Sequence, residues 1–124
     1  MLLDRFAAAL LFAVFHAAAF AAPEAKTQAE IAHLLDHVAT PGCQFNRNGS
    51  WHEGSEAKSH LQKKLDYLVK RKLVTNTESF IAGAATESSM SGKPYLVRCG
   101  GGPAVASAVY MKEELARFRA RASK

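Results

Sequence analysis

The stretch Cys43 to Lys64, CQFNRNGSWHEGSEAKSHLQKK, gathers a thiol, an arginine, the only tryptophan, two histidines and two glutamates. His52, Glu56 and His60 are spaced by four. On one helix face such residues bring imidazole and carboxylate groups together, as zinc ligands or as a general acid and base. Two features argue against metal. Gly54-Ser55 is a better helix start than Trp51, which leaves His52 outside the first turn, and residues i and i+8 of a straight helix do not close around one ion. The expectation is therefore no metal site, with Glu56 and His60 as a hydrogen-bonded pair and His52 packed near Trp51, itself read as part of the frame.

A second polar run, Ser88-Ser89-Met90-Ser91-Gly92-Lys93, offers hydroxyls and an ammonium to an anionic group. It is not a P-loop, because Glu87 stands where the upstream glycine belongs. A tight loop with a solvated Lys93 is the plainer reading. No Gly-x-Ser-x-Gly elbow and no Ser-x-x-Lys accompanies these serines, so no catalytic residue and no cofactor is assigned. The candidate binding surface is Arg47, Asn48, Glu56, His60, Ser89, Ser91, Lys93 and Tyr95.

These residues need elements to hold them. Thr27-x-x-Glu30 reads as a capping box, and Ile31, Leu34, Leu35 and Val38 give one apolar face to a helix over about 27–39. Pro41-Gly42 ends it. Cys43 to Arg47 alternates as a strand, and Asn48-Gly49 supplies a positive-phi turn. A second helix from Gly54 or Ser55 to about Lys72 carries Ala57, Leu61, Leu65 and Leu68. A third, capped by Thr75 or Thr77, carries Phe80, Ile81 and Ala84. Pro94 to Cys99 is the clearest strand. A last helix over about 107–122 buries Ala108, Met111, Leu115 and Phe118. The fold class is mainly α, bordering on α+β: about four helices with a short two-stranded antiparallel ribbon.

If Cys43 pairs directly with Cys99, Phe45 lies opposite Val97 and Arg47 opposite Tyr95, where the guanidinium would cover the phenol ring. The pairing is expected from the ends of the chain. Met1 to Arg5 and the apolar run Phe6 to Phe20, followed by Ala19-Phe20-Ala21, read as an export leader cleaved after Ala21. Exported thiols are usually oxidised. The expected organisation is a signal peptide over 1–21 and one small domain over 22–124, with no stable membrane span once the leader is gone. Removing the leader takes one acid and one base, so the formal charge stays +5. Export removes nucleic acid as a partner. What remains for the basic last helix, with Arg117, Arg121 and Lys124 on one side, is an envelope protein or an anionic cell-wall or lipid component; a solvated helix end is the commoner case.

Taken in order, Cys43-x-Phe45-x-Arg47-Asn48-Gly49, Glu56-Ala57, His60-Leu61 with Lys64, Phe80-Ile81, Ser88-Ser89-x-Ser91-Gly92-Lys93-Pro94-Tyr95 and Val97-x-Cys99 resemble the YfeK-like family of uncharacterised bacterial exported proteins. Trp51-His52 departs from that pattern, and the last helix matches loosely. The resemblance implies a leader, one small domain and a periplasmic location, and it carries over no catalytic or binding residue. The leading expectation is a non-enzymatic binding or accessory module of the envelope. Behind it stand a structural or inhibitory protein presenting the 86–94 loop, and then a small hydrolase using Glu56 and His60, with or without metal.

Overall fold

The computed structural model describes Ala9 and residues 22–124, so the cleavage point expected after Ala21 lies outside the described residues. Four helices, α1 (Ala25–Val38), α2 (Gly54–Lys70), α3 (Thr77–Ala84) and α4 (Ser107–Ala122), pack with a four-stranded antiparallel sheet. Its strands are β1 (Cys43–Arg47), β2 (Ser50–Glu53), β3 (Leu96–Cys99) and β4 (Val105–Ala106), in the order β2-β1-β3-β4. None of the described helices is long and apolar enough to cross a membrane.

The ribbon has the expected register. Cys43 lies opposite Cys99 and Phe45 opposite Val97, and the two cysteines form a disulfide. Two short strands widen it to four. Asn48 and Gly49 both take positive φ, 53° and 86°, a two-residue turn whose twist matches that of the flanking strands and lets the chain return as β2. Trp51 and His52 thereby become strand residues. Because directly opposed residues share a face, His52 joins Phe45 and Val97 on the helix side. Trp51 joins Asn46 on the outer side, where it is half-buried beneath Arg98, whose guanidinium sits 3.9 Å from the indole centroid. Trp51 is thus not core. The core is Leu34, Val38, Phe80, Ile81, Val97 and Met111 with their neighbours, each buried aliphatic or aromatic side chain contributing about 1.5–3 kcal/mol.

Two expected caps are replaced. α1 begins at Ala25, which puts Thr27 inside the helix, and Glu30 is spent elsewhere. Its buried carboxylate accepts from Thr77 Oγ1 at 2.7 Å and from Arg119 Nε at 2.8 Å, tying α1 to α3 and α4. α3 is capped by Asn76, whose side chain accepts from the Ser79 amide while Ser79 Oγ accepts from the Asn76 amide.

The same economy governs the basic last helix. Arg117 and Arg121 bind Glu114, and Arg119 binds Glu30 and Glu78. These three arginines are neutralised within the fold and do not form the free basic face expected of a solvated helix end. Glu114 is the centre of the α1–α4 contact: its side chain is only 6% exposed, His33 donates to it at 2.8 Å, and His37 stands 3.7 Å away. His33 also stacks on Phe118 and His37 on Tyr110. Burial alone would raise the Glu114 pKa. The hydrogen bonds from His33, Arg117 and Arg121, with the nearby His37, outweigh it and hold the carboxyl at about 2.

Gly54 closes the junction of the two long helices. A methyl group built on it would overlap the Val38 carbonyl oxygen at the end of α1, so only glycine lets α2 start there. Gly54→Ala should therefore cost about 1–3 kcal/mol in urea unfolding, whereas Gly101→Ala, which meets nothing within 4 Å, should leave the midpoint unchanged. Equal midpoints for both variants would contradict this packing.

Glu114 makes a second prediction. Its carboxyl titrates near 4.5 when unfolded and about 2 when folded, so its contribution is complete above pH 4.5 and is lost as pH falls through 2. Glu114→Gln should be less stable by about 3 kcal/mol at pH 7, the gap closing toward pH 2. A gap independent of pH would show that the carboxylate is not held as described.

Candidate functional site

Arg47 ends β1 on the helix-facing side, two residues after Phe45 and at the lip of the Asn48-Gly49 turn. His60 and Lys64 lie one turn apart on α2, the helix that packs across this hairpin. Tyr95 precedes β3 and is buried. These four side chains form one chain of hydrogen bonds. Arg47 Nη1 lies 2.9 Å from His60 Nδ1, His60 Nε2 lies 3.1 Å from the Tyr95 hydroxyl, and Lys64 Nζ donates to the same hydroxyl at 3.2 Å.

The direction of the chain follows from the donors. A guanidinium only donates, so His60 Nδ1 accepts; the neutral ring then carries its proton on Nε2 and donates to Tyr95. Protonating His60 would set Nδ1–H against an Arg47 N–H. Burial lowers the His60 pKa below its usual value, and Arg47, Lys64, Lys63 and His52 add to the effect. Burial likewise lowers Lys64, against a small opposing pull from Glu87. It raises Tyr95, which Arg47 partly offsets.

Arg47 and Lys64 differ from most of the other cations that bind side chains here. Arg117, Arg119, Arg121 and Lys58 meet carboxylates. Arg47 donates to a neutral imidazole, and Lys64 to a phenol and the Glu87 carbonyl, with its ammonium 4.9 Å from the Tyr95 ring centroid. Neither is in an ion pair among the described residues. The ring contact expected for Arg47 on Tyr95 is thus made by Lys64, because His60 reaches Arg47 first.

Beside this chain lies a cavity of ≈ 60 Å³ between the hairpin and α2. Phe45, Ala57, Leu61 and the Tyr95 ring line its apolar part, and Arg47, His52, Glu56 and His60 its polar wall. A wider groove of ≈ 420 Å³ shares Arg47, Glu56 and His60 with it and runs along Ser55, Ser59 and Lys63. Glu56 does not pair with His60. It binds His52 Nδ1 at 3.0 Å, since β2 carries His52 to the helix side within reach of the first turn of α2.

Of the residues expected at one surface, Arg47, Glu56, His60 and Tyr95 surround the cavity. Asn48 and Ser91 bind each other beside it: Ser91 Oγ donates to Asn48 Oδ1, and Asn48 Nδ2 donates to Ser88 Oγ at 3.3 Å. The buried hydroxyl of that loop is Ser88, not Ser89 or Ser91. Ser89 faces a separate cleft with Lys63, Lys64 and Tyr67, and Lys93 is exposed. Neither lines the cavity. Phe45, Asn46, His52, Ala57, Leu61 and Ser107 complete the lining; His52 is legible as a helix-side residue only when the chain after Asn48-Gly49 is read as a second strand. Among the described residues no three His, Cys, Asp or Glu side chains are grouped to hold a metal ion.

An uncharacterised protein of Salmonella typhimurium, YfeK, is 38% identical over 78 residues, which are 62% of this chain and 63% of that protein. The chain thus spans less than two thirds of that relative's length. No solved structure matches. Residues 25–119, from the start of α1 into the last turns of α4, match the DUF5329 family of unknown function. That stretch contains every described strand, the disulfide and all the residues around the cavity, and the chain therefore belongs to the DUF5329 family.

Proposed function

We propose that this protein is an exported, non-enzymatic binding module of the bacterial envelope, and that it holds an anionic group at Arg47. One observation carries the reading: a guanidinium on the wall of a cavity is fixed in place by a neutral ring and, among the described residues, is in no ion pair. Fixing a long side chain in advance removes part of the entropy that binding would otherwise cost. Lys64 and Lys63, close behind it, add positive potential. The disulfide supports export, because such bonds persist in oxidising compartments.

Hydrolysis with Glu56 and His60 is disfavoured by the same geometry. His60 has one ring nitrogen accepting from Arg47 and the other donating to Tyr95, which leaves no lone pair for a general base. Glu56 is engaged with His52 and lies 68% exposed, so its carboxylate is open to water rather than enclosed against a substrate.

NMR titration with sodium acetate and inorganic phosphate should shift the Arg47 Nε–H and His60 ring resonances. Arg47→Ala should weaken binding by at least about tenfold, and Arg47→Lys, which keeps the charge but loses the planar fork, by less. Anion binding that survives unchanged in Arg47→Ala would overturn the proposal.

A further inference from the structure

Arg47 and Glu56 face the same cavity with opposite charges, yet no ion pair joins them. Each has capacity to spare. Arg47 uses one of its five N–H donors on His60, and the Glu56 carboxylate, with about four acceptor sites, takes one bond from His52. Glu56 lies one helical turn from His60, about 6 Å between Cβ atoms, and His60 is the residue that holds Arg47. A guanidinium and a carboxylate on the wall of one cavity, not joined to each other by an ion pair and each with bonding capacity left, fit a ligand that carries both charges, its own carboxylate and ammonium a few Å apart.

Between these poles the cavity is apolar, with Phe45, Ala57 and Leu61 along it. Its ≈ 60 Å³ is several times the roughly 10–15 Å³ that one water needs, which leaves room for a few heavy atoms and none for a large ring. A simple anion would satisfy Arg47 alone and leave the Glu56 carboxylate and the apolar wall unused.

We infer that the site takes a zwitterionic α-amino acid with a small aliphatic side chain, its carboxylate on Arg47, its ammonium on Glu56 and its side chain in the apolar cavity. The inference rests on the anion site proposed above and adds a cationic and an apolar requirement to it. The wider groove alongside, shared by Arg47, Glu56 and His60, is the route of entry.

The test is a titration of the purified, disulfide-bonded protein with L-alanine, propionate, alaninamide and L-phenylalanine, followed at the His60 ring. Propionate lacks the ammonium, alaninamide lacks the carboxylate, and phenylalanine exceeds the cavity. Alanine should bind at least about tenfold more tightly than each of the three, since each lacks one charge-assisted contact or the fit. In Glu56→Gln the ratio of alanine to propionate affinity should fall to within about twofold of one, with an unchanged urea midpoint showing that the fold is intact. Equal affinities for alanine and propionate in the unaltered protein would overturn the inference while leaving the anion site standing. Failure of alanine, propionate and phosphate alike to bind would overturn both.

Discussion

Cys43 and Cys99 face each other across β1 and β3, and that covalent link decides which residues along both strands can be neighbours. It closes a loop over a separation of 56 residues, a constraint on the unfolded chain worth about 4 kcal/mol in the chain-entropy account. Its larger consequence is register. With Cys43 opposite Cys99, the alternation of side chains brings Phe45 and Val97 into the core, and it carries Arg47 and Tyr95 onward along the same face toward α2. A slip by one residue would turn Arg47 outward with Gln44 and Arg98, and the chain through His60 could not form.

The placement of charge follows from this frame. Buried Glu30 and Glu114 draw in the arginines of α4 and so fasten the last helix across α1 and α3. Such pairs are valuable mainly because breaking them would leave a buried charge uncompensated. The hairpin side is built in the opposite way. There the cations are held by neutral acceptors, His60 and Tyr95, which position them without cancelling them. One end of the molecule uses basic residues to hold buried carboxylates; at the other, Arg47 and Lys64 are held by neutral groups.

Much of the frame was legible in the sequence. The apolar spacing of Ile31 to Val38 and of Ala57 to Leu68, the Asn48-Gly49 turn and the two cysteines suffice for the helices, the ribbon and its register, because each is a local or covalent signal. What escaped depends on long-range competition. Thr27-x-x-Glu30 has the form of a cap, but Arg119, 89 residues away, claims the glutamate. Trp51 looks like core until its opposition to Asn46 in the hairpin puts it on the outer face. At the site, Glu56 and His60 share a helix face in sequence, yet their partners come from β1, β2 and the start of β3. Helical spacing could show that they are adjacent, and only strand register could show that Arg47 reaches His60 and His52 reaches Glu56. Lys64, next on that face after His60, had the right spacing to be included.

The direction of the Arg47–His60–Tyr95 chain is what keeps His60 neutral and lets it hold Arg47 without cancelling its charge. The most direct measurement is a long-range proton–nitrogen NMR correlation of the His60 imidazole at pH 7. The geometry requires a neutral ring with the proton on Nε2 and a bare, hydrogen-bonded Nδ1. An imidazolium, or a neutral ring protonated on Nδ1, would contradict it.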